Sequence, residues 1–339
     1  MKKYGFGIIG CGVISNWHAS VIAEIENAEL IGVYDQCQDR LMEFCNKYSC
    51  RAFDTLEDLL ANKEIDVVCV CTPSGVHAPL VIAAANAGKN IVVEKPMAIT
   101  KEQLAGIVEA VERSHVQLTS IAQRRFSEGV QKVKRAIDNG ELGRLLVGDV
   151  YMKYYRSPEY YASAGWRGTW EMDGGGALMN QGIHGIDTLQ YLMGPIKSVS
   201  AVCKTLDRDI EVEDAAVSAV EYENGAIGTI TGFTCVTPGY PCRIEISGTK
   251  GTIAMVDDRI VRWDVDGKEI TESTDKSESN TFKDPTAFSL EGHRKQFEDF
   301  LEALDKEKTP LINVYEGKRP VDVILSIYES SATGKKVSI

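Results

Sequence analysis

Residues 6–15 have the sequence FGIIGCGVIS. The apolar run at residues 6–9 is followed by Gly10 and Gly12, and a helical pattern begins after the second glycine. The run is typical of a buried strand. Gly10 would permit a tight turn, Gly12 would let the backbone approach a pyrophosphate, and the small Ser15 would allow the helix to pack closely on the strand. This order of strand, turn and helix predicts a nucleotide-binding fold, with the helix N-terminus facing the phosphates.

An acidic residue at the end of the second predicted strand indicates the cofactor. Asp35 follows Ser15 by twenty residues, where a carboxylate accepts hydrogen bonds from the hydroxyls of an adenosine ribose. This favours NAD, although Arg40 lies close enough in sequence to meet a 2′-phosphate, so NADP is not excluded. The alternative is a purely structural glycine turn with Asp35 as a solvated strand end. We predict NAD binding, with cofactor contacts at Gly10, Gly12, Val13, Ile14 and Asp35.

The first part of the chain alternates short Val- and Ile-rich runs with helical patterns, which indicates a parallel sheet with crossover helices. The predicted strands are residues 6–9, 30–34, 67–71, 91–94 and 117–121. The predicted helices carry apolar residues three or four positions apart; they are residues 16–25, 40–48, 56–61, 76–87 and 101–114. We therefore expect an α/β Rossmann domain with a doubly wound parallel sheet at residues 1–122.

The second part of the chain has a different pattern. One helix is predicted near residues 130–138, followed by strands separated by the turn sequences Asn224-Gly225, Gly248-Thr249-Lys250-Gly251 and Asp266-Gly267. Residues 275–284 are polar and predict a surface loop. We expect an α+β domain at residues 123–339 with a large, mostly antiparallel open sheet. Its open face would mediate assembly into a homo-oligomer, a dimer or a tetramer.

The composition argues against several classes of partner. The formal net charge is −12 at pH 7, and no Lys- or Arg-rich run offsets it, so phosphate backbones and anionic lipid surfaces would be repelled. A signal-peptide pattern is missing, and no apolar run is long enough to span a bilayer. We expect no nucleic-acid or membrane partner.

Cysteine and histidine usage bears on compartment and metal binding. Nine cysteines, an odd number, include Cys69 and Cys71, which alternate within a Val-rich strand as small core residues. We therefore expect a cytoplasmic protein without structural disulfides. The five histidines are scattered, and neither they nor the cysteines have metal-binding spacing. No metal is expected.

Two predicted loops follow strands at the edge where doubly wound sheets bind ligands. Thr72 and Pro73 follow a Val-rich strand, and Pro73 would stiffen a loop beside the nicotinamide ribose. His77 is a further predicted cofactor contact, with capping or packing as the alternative. Glu94 and Lys95 end the next strand and are also predicted cofactor contacts. A lysine buried at that edge is costly unless it has a function.

Several short motifs occur together along nearly the whole chain. They are EKP at 94–96, GKNI at 88–91, QRRF at 123–126, WR at 166–167, GGGAL at 174–178 and GIHGID at 182–187. Together they resemble the Gfo/Idh/MocA family, which groups glucose-fructose oxidoreductase, inositol dehydrogenases and relatives. The resemblance implies an NAD(P)-dependent dehydrogenase or reductase in which Lys95 and His184 carry the chemistry.

His184 would act as general base on a substrate hydroxyl while the carbon releases a hydride to NAD+, and Lys95 would bond the same oxygen and stabilise alkoxide character. Asn180, His184 and Asp187 are four and three residues apart, so on one helix they would share a face. The family often has Asp at the position of Asn180. An amide can orient the imidazole but cannot stabilise its cation as a charge would. We count Asn180 with the catalytic residues.

The substrate is expected between the two domains, at the nicotinamide end. Arg124 and Arg167 are candidates for holding substrate oxygens or the nicotinamide end, with structural ion pairing as the alternative. Aromatic side chains are common where sugar rings bind, although a buried interface would use them too; here they are Tyr151, Tyr154, Tyr155, Tyr160, Tyr161, Trp166 and Trp170. The predicted substrate contacts are Lys95, Arg124, Tyr154, Trp166, Asn180 and His184, and Arg167 is a predicted cofactor contact.

We therefore predict hydride transfer between nicotinamide and a secondary alcohol or ketone of a sugar, an inositol or a glycoside-like compound. One alternative is an NAD-dependent glycoside-cleaving enzyme that oxidises a ring carbon transiently and regenerates its cofactor. Another is a non-catalytic NAD-binding sensor with the same fold, although the presence of both Lys95 and His184 argues against it.

Overall fold

The computed structural model describes residues 2–265, 267–270 and 290–339. The polar segment 275–284, expected to form a surface loop, lies outside the described residues. In the described part of the chain, no helix is long and apolar enough to cross a membrane.

The chain divides into two compact units, each made of two stretches of sequence. Unit 1 comprises Met1–Gln123 and Ser289–Lys318, and unit 2 comprises Arg124–Phe288 and Arg319–Ile339. The expected division between residues 122 and 123 treated each domain as one continuous segment. In the structure, residues 289–318 instead group with the first part of the chain.

Unit 1 begins with strands that alternate with helices. In chain order they are β1 (Tyr4–Ile9), α1 (Val13–Glu24), β2 (Ala28–Tyr34), α2 (Gln38–Tyr48), β3 (Arg51–Ala52), α3 (Leu56–Ala61), β4 (Val67–Val70), α4 (His77–Asn86), β5 (Asn90–Val93), α5 (Lys101–Ser114) and β6 (Leu118–Ser120). The strands form a parallel sheet in the order β3-β2-β1-β4-β5-β6. The predicted Rossmann fold is confirmed. Strand β3 was not predicted, because two residues carry no periodic signal.

The remaining elements belong mainly to unit 2. They are α6 (Glu128–Asp138), β7 (Leu145–Lys153), α7 (Pro158–Ala162), a π-helical turn (Ala177–Gly182), α8 (Ile183–Met193), β8 (Ile196–Lys204), β9 (Ala215–Tyr222), β10 (Ile227–Phe233), β11 (Arg243–Gly248), β12 (Gly251–Val256), β13 (Arg259–Val265), β14 (Lys268–Ile270), α9 (Leu290–Asp305), α10 (Val314–Thr333) and β15 (Val337–Ser338). Of these, α9 lies in unit 1, and the residues of α10 divide between the two units.

The strands of unit 2 form one sheet. Among the described residues its order is β14-β13-β12-β11-β7-β10-β9-β8-β15. Strands β7 and β10 pair in parallel, and the other pairs are antiparallel. Helix α8 packs against β7 on one face, while Val202 and Val217, opposite each other on β8 and β9, are 60% and 47% exposed. The expected α+β fold with a large, mostly antiparallel open sheet is confirmed.

Helix α9 completes the hydrophobic core of unit 1. Phe297 stacks on Phe6 of β1, with ring centroids 5.9 Å apart, and Phe300 and Leu301 are buried in the same core. Burying each such side chain contributes roughly 1.5–3 kcal/mol. Gln296 fixes the register of the helix, because its side-chain oxygen accepts a hydrogen bond from Ala122 N at 3.0 Å. Residues 289–318 therefore belong to unit 1 through packing.

Candidate functional site

The glycine turn joins β1 to α1 in unit 1. Gly10 has a φ of +94°, and a Cβ there would lie 2.9 Å from the carbonyl oxygen of Cys71, so the position requires glycine. Gly12 has an ordinary φ of −82° and precedes the first residue of α1, and a Cβ there would meet no atom within 4 Å. Ser15 is buried and donates to the Gly12 carbonyl at 2.6 Å. The turn thus leaves open space in front of a helix N-terminus, as an incoming phosphate needs.

Asp35 lies beside this turn at the end of β2. Its carboxylate accepts hydrogen bonds from Cys11 N at 2.8 Å, Cys37 N at 2.7 Å and the Arg40 guanidinium at 3.0 Å. Burial alone would raise the pKa of Asp35, but these hydrogen bonds hold it below its usual value. Asp35 is therefore an ionised acceptor placed against the glycine turn, as ribose recognition requires. The same carboxylate binds Arg40, the residue whose position in the sequence kept NADP as an alternative cofactor.

The two hydrophobic residues after Gly12 differ in exposure. Val13 is 70% exposed, whereas Ile14 is partly buried against the core of unit 1. Both belong to the first turn of α1, whose amides have no partner within the helix. The cofactor contacts predicted for them are therefore available through the Val13 side chain and through the backbone.

The loops after β4 and β5 are tied together by His77. This buried histidine places Nδ1 2.8 Å from the Pro96 carbonyl oxygen and Nε2 2.8 Å from that of Thr72. Burial lowers its pKa in spite of these bonds, and a neutral imidazole donates from one nitrogen at a time. Both ring nitrogens of His77 therefore contact backbone oxygens of the two loops. This arrangement fits the alternative in which His77 packs and supports these loops. Thr72 and Pro73 are half-buried on the first loop.

Lys95 follows β5 and is half-buried. Since β1, β4 and β5 are neighbouring parallel strands, Gly10, Thr72 and Lys95 lie at the carboxyl edge of one sheet, where doubly wound folds bind ligands. Glu94 before it is buried, and its carboxylate is 2.8 Å from His18 Nε2 and accepts from Lys95 N at 3.2 Å. The Glu94 side chain is therefore directed into unit 1, toward His18 of α1. It does not point only toward the carboxyl edge of the sheet, where the cofactor contact was predicted.

In unit 2, His184 lies in the first turn of α8 and is half-buried. Asn180 belongs to the π-helical turn before it, so the pair is not on one continuous α-helix as expected from its spacing. Asp187 is buried and forms a two-pronged ion pair with Arg125, at 2.9 and 2.7 Å. His184 and Asp187 do lie on one helix, three residues apart, but the Asp187 carboxylate has a structural partner in Arg125.

A carboxylate that sequence reasoning missed contacts Asn180. Asp173 is buried, and its Oδ1 accepts a hydrogen bond from Asn180 Nδ2 at 2.5 Å, while its Oδ2 accepts from Gly168 N. The side chain of Gln181 donates to Asn180 Oδ1 at 3.1 Å. A carboxyl group therefore lies one hydrogen bond from position 180, where the family often has an acid. Its position just before the glycine run was the available signal.

Arginines and aromatic rings pack together near this turn. The Arg167 guanidinium lies 4.3 Å from the ring centroid of Tyr160 and 4.7 Å from that of Trp166, and it donates to the Tyr160 hydroxyl at 2.5 Å. Its Nε is buried without a hydrogen-bond partner among the described residues. Arg156 is buried and donates to the Gln181 side chain at 3.1 and 2.7 Å. Arg167 therefore has one buried donor that no described residue satisfies.

The other two predicted substrate contacts are more enclosed. Tyr154 is 3% exposed, and burial raises its pKa well above the usual value. Arg124 lies 4.0 Å from the Asp258 carboxylate and has 13% of its side chain exposed, which matches the structural ion-pairing alternative. Within the described residues, no three or more His, Cys, Asp or Glu side chains are arranged so that they could hold a metal ion.

The glycine turn, the ionised Asp35 and the lysine at the sheet edge define a nicotinamide-dependent oxidoreductase. Two family profiles match the chain: "Oxidoreductase family, NAD-binding Rossmann fold" over residues 4–121 and "GFO/IDH/MocA C-terminal domain" over residues 130–254. The chain belongs to the GFO/IDH/MocA family of oxidoreductases, as its motifs indicated. It is a dehydrogenase or reductase acting on CH–OH groups, with NAD as cofactor.

Several relatives are similar over most of their length. The WlbA dehydrogenase from Bordetella pertussis, solved with NADH and UDP-GlcNAcA, is 33% identical, with a TM-score of 0.88 and coverage of 100% of this chain and 99% of WlbA. The myo-inositol 2-dehydrogenase of Thermotoga maritima is 30% identical over 255 residues, 73% of each chain. A levoglucosan dehydrogenase solved with NADH and levoglucosan has a TM-score of 0.89 at 22% identity, covering 100% of this chain and 99% of its own, and supports the fold.

Proposed function

We propose that this dehydrogenase moves a hydride between nicotinamide and a secondary alcohol or ketone on the ring of a sugar-like substrate. The observation that carries the proposal is the position of Lys95 at the carboxyl edge of the Rossmann sheet, on the same edge as Gly10 and Thr72. A cationic side chain at this edge lies where the reactive end of a bound dinucleotide meets its substrate.

In the proposed mechanism Lys95 and His184 act on the same substrate oxygen. When bound, NAD+ supplies the acceptor for the hydride that leaves the carbon. His184 takes the hydroxyl proton, and Lys95 donates a hydrogen bond to the oxygen as it gains alkoxide character. Asn180, whose side chain donates to the Asp173 carboxyl group, has the role of orienting the His184 imidazole. In reduction the proton returns from His184 to the oxygen.

We further propose that the substrate carries an acidic group, as a sugar acid or a nucleotide-linked sugar does. Arg167 supports this, because its guanidinium is stacked on Tyr160 and Trp166 and its Nε has no partner among the described residues. A guanidinium binds carboxylate or phosphate oxygens in a planar, two-pronged manner. The WlbA relative, which is similar over the whole chain, was solved with UDP-GlcNAcA. Inositols and neutral sugars form the second class.

The test is a panel assay that follows reduced nicotinamide by absorbance, with NAD+ or NADP+ and UDP-GlcNAcA, simple sugar acids, myo-inositol, levoglucosan and glycosides. Turnover of an acidic sugar supports the full proposal, and turnover of neutral compounds alone contradicts the acidic-group part. Lys95→Ala should keep NADH binding and lose about 10²–10⁴-fold in kcat. Lys63→Ala, an exposed lysine of the same unit, is the control and should match the wild type.

The alternatives give different results in the same assay. A glycoside-cleaving enzyme would release aglycone without net NADH, because it returns the hydride to its product. A sensor would bind NADH and show neither turnover nor cleavage, and either result would contradict the proposed net dehydrogenation.

For assembly, we propose a homo-oligomer formed through the open sheet face that carries Val202 and Val217.

A further inference from the structure

Two buried titratable side chains meet next to Lys95 in unit 1, and the mechanism proposed above does not use them. They are His18 of α1 and Glu94, the residue before Lys95. Their side chains are 0% and 7% exposed, and His18 Nε2 lies 2.8 Å from Glu94 Oε1. Because an ionised carboxylate can only accept, Nε2 of His18 carries the hydrogen and donates it. A buried ion pair is weak evidence for stability, so its position requires another explanation.

Glu94 uses its two carboxylate oxygens for different partners. Oε1 accepts from His18, while Oε2 accepts from the backbone N–H of Lys95 at 3.2 Å. The carboxylate therefore fixes the backbone at the residue that bears the proposed catalytic amine. If the carboxylate lost His18 and rotated, the hydrogen bond from the Lys95 N–H to Glu94 Oε2 would be lost as well.

The orientation of His18 is itself set by packing. Its ring meets Phe297 edge-on, with centroids 5.3 Å apart, and lies 6.2 Å from the ring of His293, both on α9. His18 lies on the second turn of α1, the helix that begins after Gly12 at the phosphate-binding end. One hydrogen bond thus links the helix that faces the cofactor to the residue before Lys95.

Titratable groups surround the Glu94 carboxyl from several elements. They are His18 on α1, Cys69 and Cys71 at β4, His77 at the start of α4, Lys95 after β5 and His293 on α9. Burial alone would raise the pKa of Glu94, but the hydrogen bond and charge of His18, together with His293 and Lys95, lower it to about 2. Burial lowers the pKa of His293 to about 4. At neutral pH the cluster therefore presents an ionised Glu94 next to Lys95.

We propose that His18 is a positioning residue for Lys95: it holds the Glu94 carboxylate in the one orientation that fixes the Lys95 backbone and places a negative charge beside the lysine. The proposal rests on the function proposed for Lys95. It assigns to α1 a second task beyond phosphate binding, because the same helix positions the lysine that contacts the substrate oxygen.

Three variants separate positioning from plain structural support. His18→Leu removes the donor, His18→Gln keeps an amide donor that can reach Glu94 Oε1, and Glu94→Gln keeps the shape of the side chain but removes its charge. We expect His18→Leu to lower kcat about tenfold or more while KM for NAD+ and the affinity for NADH change less than about twofold. His18→Gln should recover most of kcat.

A second measurement needs no turnover. Mass spectrometry measures the rate of Lys95 acetylation by a limiting amount of acetic anhydride at a series of pH values. This rate reports the fraction of neutral amine. Without the nearby carboxylate charge the ammonium is less stable, so Glu94→Gln should shift the midpoint of Lys95 labelling to lower pH by about half a unit or more.

Lys89→Met is the matched control, because Lys89 is a buried polar residue at the opposite end of β5. Its Nζ donates to the carbonyls of Asn62 and Ile65 at 2.7 and 2.8 Å. This variant should lower the Tm and leave kcat and the Lys95 labelling midpoint unchanged. The proposal is overturned if the His18 and Glu94 variants behave like Lys89→Met, with a lower Tm alone. If His18→Leu does not fold, Glu94→Gln and His18→Gln decide.

The outcomes also separate this inference from the proposed function. If the wild type turns over no substrate, or Lys95→Ala keeps full activity, the proposed function fails, whereas the labelling midpoint of Glu94→Gln still tests the link to Lys95. If the wild type and Lys95→Ala behave as expected but His18→Leu keeps the wild-type kcat, the inference alone is wrong.

Discussion

Two glycines in one turn should respond to alanine in opposite ways. At Gly10 the φ of +94° and the Cys71 carbonyl oxygen 2.9 Å from an added Cβ oppose any side chain. The backbone conformation alone costs about 1–2 kcal/mol for a non-glycine residue, and the contact adds to it. At Gly12 the φ is −82° and nothing lies within 4 Å of an added Cβ, so alanine costs the fold nothing and removes unfolded-state entropy.

We therefore expect Gly10→Ala to lose about 2–3 kcal/mol of stability and its Tm to fall by roughly 4–12 °C. Gly12→Ala should keep the wild-type Tm or raise it slightly. Its methyl group, however, occupies the space through which a pyrophosphate approaches the N-terminus of α1. We expect a loss of at least about tenfold in NADH affinity, equivalent to about 1.4 kcal/mol.

The assay is thermal unfolding with and without NADH, together with a fluorescence titration. At a hundredfold excess over Kd, NADH should stabilise the wild type by about 2.7 kcal/mol, and Gly12→Ala should lose about half of that gain or more. A Gly12→Ala variant that binds NADH like the wild type would refute the assignment of the open space to the pyrophosphate. A Gly10→Ala variant with an unchanged Tm would refute the steric argument.

Two further predictions concern charge. Asp35→Asn removes the carboxylate that binds both the turn amide of Cys11 and Arg40. NADH affinity should therefore fall about tenfold or more, and competing titrations should show a smaller preference for NADH over NADPH. An unchanged preference would contradict the role of Asp35 in ribose binding. Burial lowers the pKa of His293 from 6.5 to about 4. As the pH falls, this histidine is therefore protonated in the unfolded chain before it is protonated in the folded protein. The free energy of unfolding should decrease by about 3 kcal/mol between pH 6.5 and pH 4. His293→Gln should flatten this decline in urea unfolding followed against pH, and an equal decline in the variant would show that His293 does not cause it.

The geometry of the glycine turn and the position of Asp35 beside it were predictable because their signals are local. Gly10, Gly12 and Asp35 lie within one strand–turn–helix–strand unit, where spacing and residue type already imply geometry. The position of Lys95 at the sheet edge was predictable for the same reason, since it follows the end of a Val-rich strand. The arrangement around Asn180 was not, because a π-helical turn changes which residues share a face, and spacing by itself assumes a regular helix.

The sequence alone determined the alternation of strands and helices, the turn that requires Gly10, the acid at Asp35 and the motif that contains Lys95, since each depends on neighbours within a few residues. Tertiary structure decided which residues distant in sequence meet. His18 meets Glu94 across 76 positions, and α9 joins unit 1 because Phe297 packs on Phe6. Such partners are selected by the shape and free energy of a packed core, which no local pattern contains.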